Sequence, residues 1–288
     1  MRMNTIQLSK EDLERIIPKR PIDCHKGNCG KLLHLCGSLG FTGAAALAAM
    51  AAMRTGAGLV FLGVPETIYA IEAVKLNEPI VFPLPDADGM LSFDACPFIE
   101  KRLPDMDAVL IGPGLGKSGG TEAAVITVLE SYQGPVVLDA DGINVICSHK
   151  DILRGRTFPT VLTPHEGEFA RLLGRKVNDR MSDAVQFARE HGVVLLLKGH
   201  NTLITDGDIC YVNTTGNPGM AVGGCGDVLA GIISALLGFG ISPLLAAACG
   251  AWLHGAAGDI SAQTYGNGLI PTDMLESLPR LLKQVVVD

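Results

Sequence analysis

The chain has 288 residues, 48% of them hydrophobic and 18% charged, with a formal net charge of -7. That is ample apolar material for a large core, and too little positive charge for a nucleic-acid or anionic-membrane surface, which needs basic patches to neutralise phosphate. Eight scattered cysteines, none in a C-x-x-C pair, read as reduced thiols rather than a zinc site or disulfide framework, and point to the cytoplasm.

The N-terminal segment MRMNTIQLSKEDLERIIPKR is charged and lacks an apolar run of export-signal length. Short apolar runs then alternate with helix-like segments, the pattern of an α/β protein with a mostly parallel central sheet covered on both faces. Strands are expected at 31–36, 59–64, 107–112, 135–140, 160–164 and 193–199, with crossover helices over 43–58, 119–133 and 182–192. Alternating apolar residues around Asp206-Gly207 signal a hairpin, and three apolar helices should close the chain. From Val228 to Gly258 no Asp, Glu, Lys or Arg occurs, longer than the roughly 20 residues a bilayer span needs. GFGISP at 238–243 splits that stretch into two helices of about a dozen residues without a basic flank, so it reads as core. No repeat or linker divides the chain, and a single domain over 1–288 is expected.

In open α/β sheets, ligands bind beyond the carboxyl ends of the strands. Gly37-Ser38, 112–116, 139–144, 164–168 and Lys198-Gly199 all follow expected strands, so these turns should ring one crevice. Asp139 and Asp141, two apart, could share a face and serve a ribose hydroxyl or hydrated magnesium, although Asp141-Gly142 is equally an ordinary turn. GPGLGKSGG imitates two nucleotide motifs. A P-loop would need glycine where Ile111 stands. Gly114, Gly116 and Gly119 with Asp139 make a lone G-x-G-x-x-G, a weak sign of an NAD-linked dehydrogenase that a tight strand-to-helix turn explains as well.

The stretch NPGMAVGGCGDVLAGIISALLGFG is more informative. Gly223, Gly224 and Gly226 allow consecutive N–H groups to form a concavity, and the following helix adds unpaired donors and the positive end of its dipole. Phosphate suits such a nest. Asp227, at the helix start, is either a cap or a base acting on a hydroxyl beside that phosphate.

GGCGDVLAGIISALL resembles the G-x-G-D segment of the ribokinase-like superfamily, and the longer NPGMAVGGCGDVLAG resembles its ADP/ATP-dependent NAD(P)H-hydrate dehydratases. CGSLGFTGAAALAAMAAMRTGAGLV, IGPGLGKS, VLDADGIN, TPHEGEFARLL and LLKGHNTLITDGD extend that resemblance over nearly the whole chain. It implies a ribokinase-like three-layer α/β/α fold and a repair lyase that dehydrates the S-epimer of NAD(P)H-hydrate, turning ADP (or ATP) into AMP (or ADP) and phosphate with Mg²⁺. Asp227 would take the ring-hydroxyl proton, and the amides of Gly224, Cys225 and Gly226 would stabilise the phosphoryl group. Lys198, Gly199, His200, Asn201, Thr202 and Gly226 would hold the nucleotide. Ala44, Gly116, His165 and Asp227 would contact the hydrated dinucleotide, and Glu168 would orient metal-bound water. Lys198 could instead be a strand-end surface lysine, and His165 with Glu168 a plain helix start. A homotetramer is a further expectation of the resemblance; the chain departs from some members in showing no room for the separate epimerase domain that they carry at their N-terminus. Cys225 stands where a small hydroxyl residue is usual; its thiol either faces the nest as a reactive thiolate or packs inward. A kinase of a small alcohol or vitamin precursor, and a silent nucleotide-binding protein, are the competing readings.

Overall fold

The computed structural model describes residues 5–286. Its strands are β1 (Thr5–Ile6), β2 (Lys31–Leu35), β3 (Leu59–Pro65), β4 (Ile80–Leu84), β5 (Asp86–Ala87), β6 (Met90–Leu91), β7 (Ala108–Ile111), β8 (Val136–Leu138), β9 (Thr160–Leu162), β10 (Val194–Leu197), β11 (Thr202–Thr205) and β12 (Cys210–Asn213). The helices are α1 (Lys10–Ile16), α2 (Thr42–Thr55), α3 (Glu66–Lys75), α4 (Cys96–Glu100), α5 (Gly119–Ser131) and α6 (Asp141–Ile146). They continue with α7 (Asp151–Gly155), α8 (Glu166–Leu173), α9 (Arg180–His191), α10 (Cys225–Gly238), α11 (Pro243–Tyr265) and α12 (Pro271–Val285).

The main sheet has the order β1-β12-β11-β10-β9-β8-β7-β2-β3-β4, and β5 pairs with β6 in a separate hairpin. From β4 across to β10 every pairing is parallel; β11 runs against both its neighbours, β10 and β12. Parallel neighbours require crossovers, and burial of both faces explains why the strands read as unbroken apolar runs. Side chains of successive strand residues enter opposite cores: Ala108 and Leu110 face the layer of α1, α2, α3, α10, α11 and α12, while Val109 and Ile111 face the layer of α4 to α9.

The small residues of α2 have a packing cause. Ala48 and Ala51 lie against α10, where a methyl at Gly231 would run into the Ala48 carbonyl, so the two backbones nearly touch. That contact fixes α10 beside the sheet, with its N-terminus at the carboxyl edge.

All six anticipated strands and the three crossover helices form, and the hairpin is β11–β12. GFGISP does break the uncharged stretch, but α11 has 23 residues rather than about a dozen. Among the described residues no helix is long and apolar enough to cross a membrane. The last helix also differs from expectation: α12 is amphipathic, burying Met274, Leu275, Leu278 and Leu281 while carrying Asp273, Glu276, Arg280 and Lys283.

Candidate active site

The turns after β2, β7, β8, β9 and β10 gather at one edge of the sheet, and α10 points its N-terminus among them. Asp139 follows β8 and is buried; its Oδ1 accepts from Thr163 Oγ1 at 2.8 Å and from Lys198 Nζ at 2.8 Å. Its Oδ2 is buried with no protein partner. That free oxygen and the Lys198 ammonium face Gly226, where a Cβ would stand 3.8 Å from Oδ2 and 3.3 Å from Nζ. Lys198 Nζ is also 3.9 Å from Glu168 Oε2. Burial pulls the Lys198 pKa down, but the carboxylates of Asp139 and Glu168 outweigh it and hold the ammonium above its ordinary value.

Glu168 and His165 start α8 in a reciprocal capping arrangement. The His165 N–H donates to Glu168 Oε2 at 2.8 Å, and His165 Nδ1 accepts from Gly167 N at 3.0 Å and Glu168 N at 3.3 Å. A neutral His165 therefore carries its proton on Nε2, 3.6 Å from Glu168 Oε1. Burial pushes the Glu168 carboxyl up, against the pull of Lys198. The helix-start role is thus present in the structure, and it aims both side chains at Lys198 or the cavity beyond.

Gly224 enters α10 with φ +100, the left-handed region that glycine tolerates, and no side chain caps the helix. The N–H groups of its first turn therefore stay open to an anion. Asp227 lies in that turn, and burial, reinforced by Asp139 and opposed by Lys198, raises its pKa to about 7. A carboxylate so placed can take a proton at neutral pH.

Beside this turn lies a cavity of about 830 Å³, walled by Lys198 to Thr202, by the 213–222 segment, and by His165, Gly226 and His254. Asp227, Gly224 and Glu168 stand next to it without lining it. Two supports of its walls carry no motif that the sequence reading picked out. His254, kept neutral by burial with a pKa lowered to about 4, donates Nε2–H to the Cys225 carbonyl at 2.9 Å. Asp259 accepts from Gly216 N and from Asn217 Nδ2, each at 2.9 Å, and so holds the NPGM loop.

Ala44 and Gly116 do not line that cavity. They form an adjoining group in which a Cβ at Gly114 would lie 2.9 Å from the Ala44 methyl, Ser38 Oγ donates to the Gly114 carbonyl at 2.7 Å, and Gly116 N donates to Asp141 Oδ2 at 2.9 Å. Asp139 and Asp141 thus do not share a face. Between them Ala140 adopts φ +49, which turns one carboxylate to Lys198 and the other to Gly116. The 112–116 glycines make a tight strand-to-helix turn, Gly114 and Gly116 at positive φ, ahead of the Ser118 cap of α5.

Cys225 resolves to the inward alternative. It is buried with Sγ 3.7 Å from Met274 Sδ on α12, and burial pushes its pKa up to about 11 against a hydrogen bond from the Val222 backbone, so the thiol form is favoured.

A family model described as NAD(P)H-hydrate dehydratase matches residues 32–280. The chain is 45% identical over 277 residues to a bifunctional NAD(P)H-hydrate repair enzyme of Moorella thermoacetica, covering 93% of this chain and 52% of that enzyme. It is 33% identical to an ADP-dependent (S)-NAD(P)H-hydrate dehydratase of Cenarchaeum symbiosum, covering 96% of each. A solved ADP/ATP-dependent NAD(P)H-hydrate dehydratase of Bacillus subtilis, co-crystallised with ATP and Mg²⁺, superimposes with a TM-score of 0.83 at 31% identity, covering 98% of this chain and 99% of that one. The chain therefore spans about half the length of the first of these relatives and nearly all of the other two.

Proposed function

The chain belongs to the NAD(P)H-hydrate dehydratase family, with its ribokinase-like three-layer fold, and on that footing we propose that it removes water from (S)-NAD(P)H-hydrate at the expense of ADP. The observation that carries the proposal is Asp227, a carboxyl with a pKa of about 7 in the first turn of an uncapped helix, beside Lys198 and a nucleotide-sized cavity.

Asp227 accepts the proton of the ring hydroxyl, whose oxygen attacks the terminal phosphorus of ADP and displaces AMP. The N–H groups of Gly224, Cys225 and Gly226 stabilise the transferring phosphoryl, and Lys198 balances its charge. Phosphate is a better leaving group than hydroxide. The lone pair of the ring nitrogen expels it, and loss of a proton from the adjacent carbon restores the dihydropyridine. His165, held by the helix start and aimed outward, contacts the hydrated dinucleotide together with the Ala44 and Gly116 turns. Lys198, Gly199, His200, Asn201, Thr202 and Gly226 receive the nucleotide.

The donor set also fits magnesium. Asp139 Oδ2, buried without a protein partner, and the Glu168 carboxylate, close enough to feel the Asp139 charge, are hard oxygens that would hold a hydrated divalent ion. The ion supplies neutralisation of phosphate charge when bound with the nucleotide.

The test incubates the protein with hydrated NADH, magnesium and ADP or ATP. Return of the dihydronicotinamide absorbance, with one phosphate released per dinucleotide restored, is the expected result. A stable phosphorylated product would select the small-alcohol kinase instead, and no nucleotide-dependent change would select the silent binding protein. Free thiols throughout the described chain suit a cytoplasmic setting, and light scattering tests the homotetramer that the family implies.

A further inference from the structure

Arg180, the first residue of α9, lies outside the cavity, yet its guanidinium is devoted to the backbone that walls it. Nη1 donates to the His200 carbonyl at 3.0 Å, and Nη2 to those of Lys198 at 3.2 Å and Leu197 at 3.4 Å. The nearest carboxylate, that of Glu166, is 3.9 Å from Nε, which is buried without a hydrogen-bond partner. Between the end of β10 at Leu197 and the start of β11 at Thr202, the chain reverses through Gly199 at φ +147 and Asn201 at φ +56. A Cβ at Gly199 would stand 2.8 Å from Arg180 Nη2, so only glycine leaves the guanidinium in place without displacing it.

The peptide plane turns this contact into a statement about the cavity. In a trans peptide the carbonyl of one residue and the N–H of the next point in opposite directions. The carbonyls of Lys198 and His200 face Arg180, so the N–H groups of Gly199 and Asn201 face away from it, and Gly199, His200, Asn201 and Thr202 line the cavity on that far side. Neither N–H has a backbone acceptor in the turn. We infer that Arg180 is a positioning residue: it locks these two peptide planes so that both N–H groups meet the phosphate of a nucleoside diphosphate in the cavity. This rests on the nucleotide reading above and deepens it.

Arg180→Lys and Arg180→Gln separate geometry from charge. A lysine keeps the positive charge but cannot bridge three carbonyls. ADP binding in the presence of magnesium is measured by calorimetry, alongside KM for ADP, KM for the hydrated dinucleotide, kcat and the melting temperature. Both variants are expected to weaken ADP binding about ten- to a hundredfold, the size of one charge-assisted hydrogen bond. KM for ADP should rise in step, kcat at saturating ADP should fall less than that, and KM for the hydrated dinucleotide should stay within about twofold of wild type. Wild-type ADP affinity in Arg180→Lys would show that charge alone matters and overturn the inference. A lowered melting temperature with unchanged ADP affinity would make Arg180 a simple strut, and also overturn it. If both variants fail to fold, Gly199→Ala, whose methyl meets Nη2, is expected to show the same ADP-selective loss; wild-type affinity there overturns the inference. A wild-type protein that binds no ADP overturns the nucleotide reading and this inference together.

Discussion

Replacing Asp227 by asparagine should cost turnover and raise stability at once, because the same burial that tunes the carboxyl also opposes its charge. An ordinary aspartate titrates at 3.8, and Asp227 in the fold at about 7. Below 3.8 the group is protonated in both states and contributes no difference. Between 3.8 and 7 the unfolded chain ionises while the native one stays protonated, so the native state loses ground as pH rises, and above 7 the loss is complete. At 1.36 kcal/mol per pH unit the full penalty is about 4 kcal/mol, and solvent contact of the partly exposed side chain reduces it to roughly 2 kcal/mol. Asparagine resembles the neutral acid and escapes it. At about 2–4 °C per kcal/mol, Asp227→Asn should melt roughly 4–8 °C higher than wild type at pH 8–9, with the gap closing towards pH 4. Turnover should fall about 10²- to 10⁴-fold, the worth of a positioned base, and wild-type kcat/KM should climb with pH through about 7. Thermal melts across pH and initial rates read both effects. Unaltered stability at pH 9 with near-normal turnover would reduce Asp227 to a helix-start residue and refute the reasoning.

Further outcomes follow from neighbouring contacts. Lys198→Met leaves the buried Asp139 carboxylate without its cation, so ADP affinity should fall about ten- to a hundredfold by calorimetry and the melting temperature should drop; unchanged affinity would make Lys198 a strand-end lysine after all. A Cys225 thiol titrating near 11 is almost wholly protonated at pH 8, so iodoacetamide should label the more accessible Cys24 and Cys96 first in peptide mass mapping. Early labelling of Cys225 would contradict its packing against Met274. Gly112→Ala places a methyl on the Asp139 carbonyl at φ +133 and should cost about 3 kcal/mol or more in denaturant unfolding, whereas a loss under about 1 kcal/mol would show that the turn yields.

What the sequence makes legible is local. Runs such as DAVLIG and PVVLDA announce strands because both faces of each are buried, and the ring of turns follows from strand direction alone. β4 was not anticipated because IVFPL carries Pro83 and half-exposed side chains, as an edge strand can. β1 and the β5–β6 hairpin are two residues per strand, too short for any period to register. The candidate site residues rest on motif resemblance, which says nothing of their coupling: Asp139 and Lys198 are 59 positions apart, and no pattern in either segment announces their contact. Arg180 and Asp259 act through backbone carbonyls and amides, which leave no composition signal. The Cys225 side chain packs against Met274 of α12, 49 positions away, a contact that no local pattern encodes.

Ala140 is a single strained residue, yet it joins two halves of the crevice. Asp139 on one side of it holds Lys198 near the helix nest, and Asp141 on the other holds the Gly116 turn. Two peptide units allow their α-carbons at most about 7 Å of separation. The span between the ammonium side and the Gly116 side is therefore gauged by a covalent strut rather than by a hinge. A shift of the Lys198 side relative to the Gly116 side would have to work against the Ala140 backbone, so on the proposed function the spacing between nucleotide and hydrated dinucleotide would be built in before either arrives.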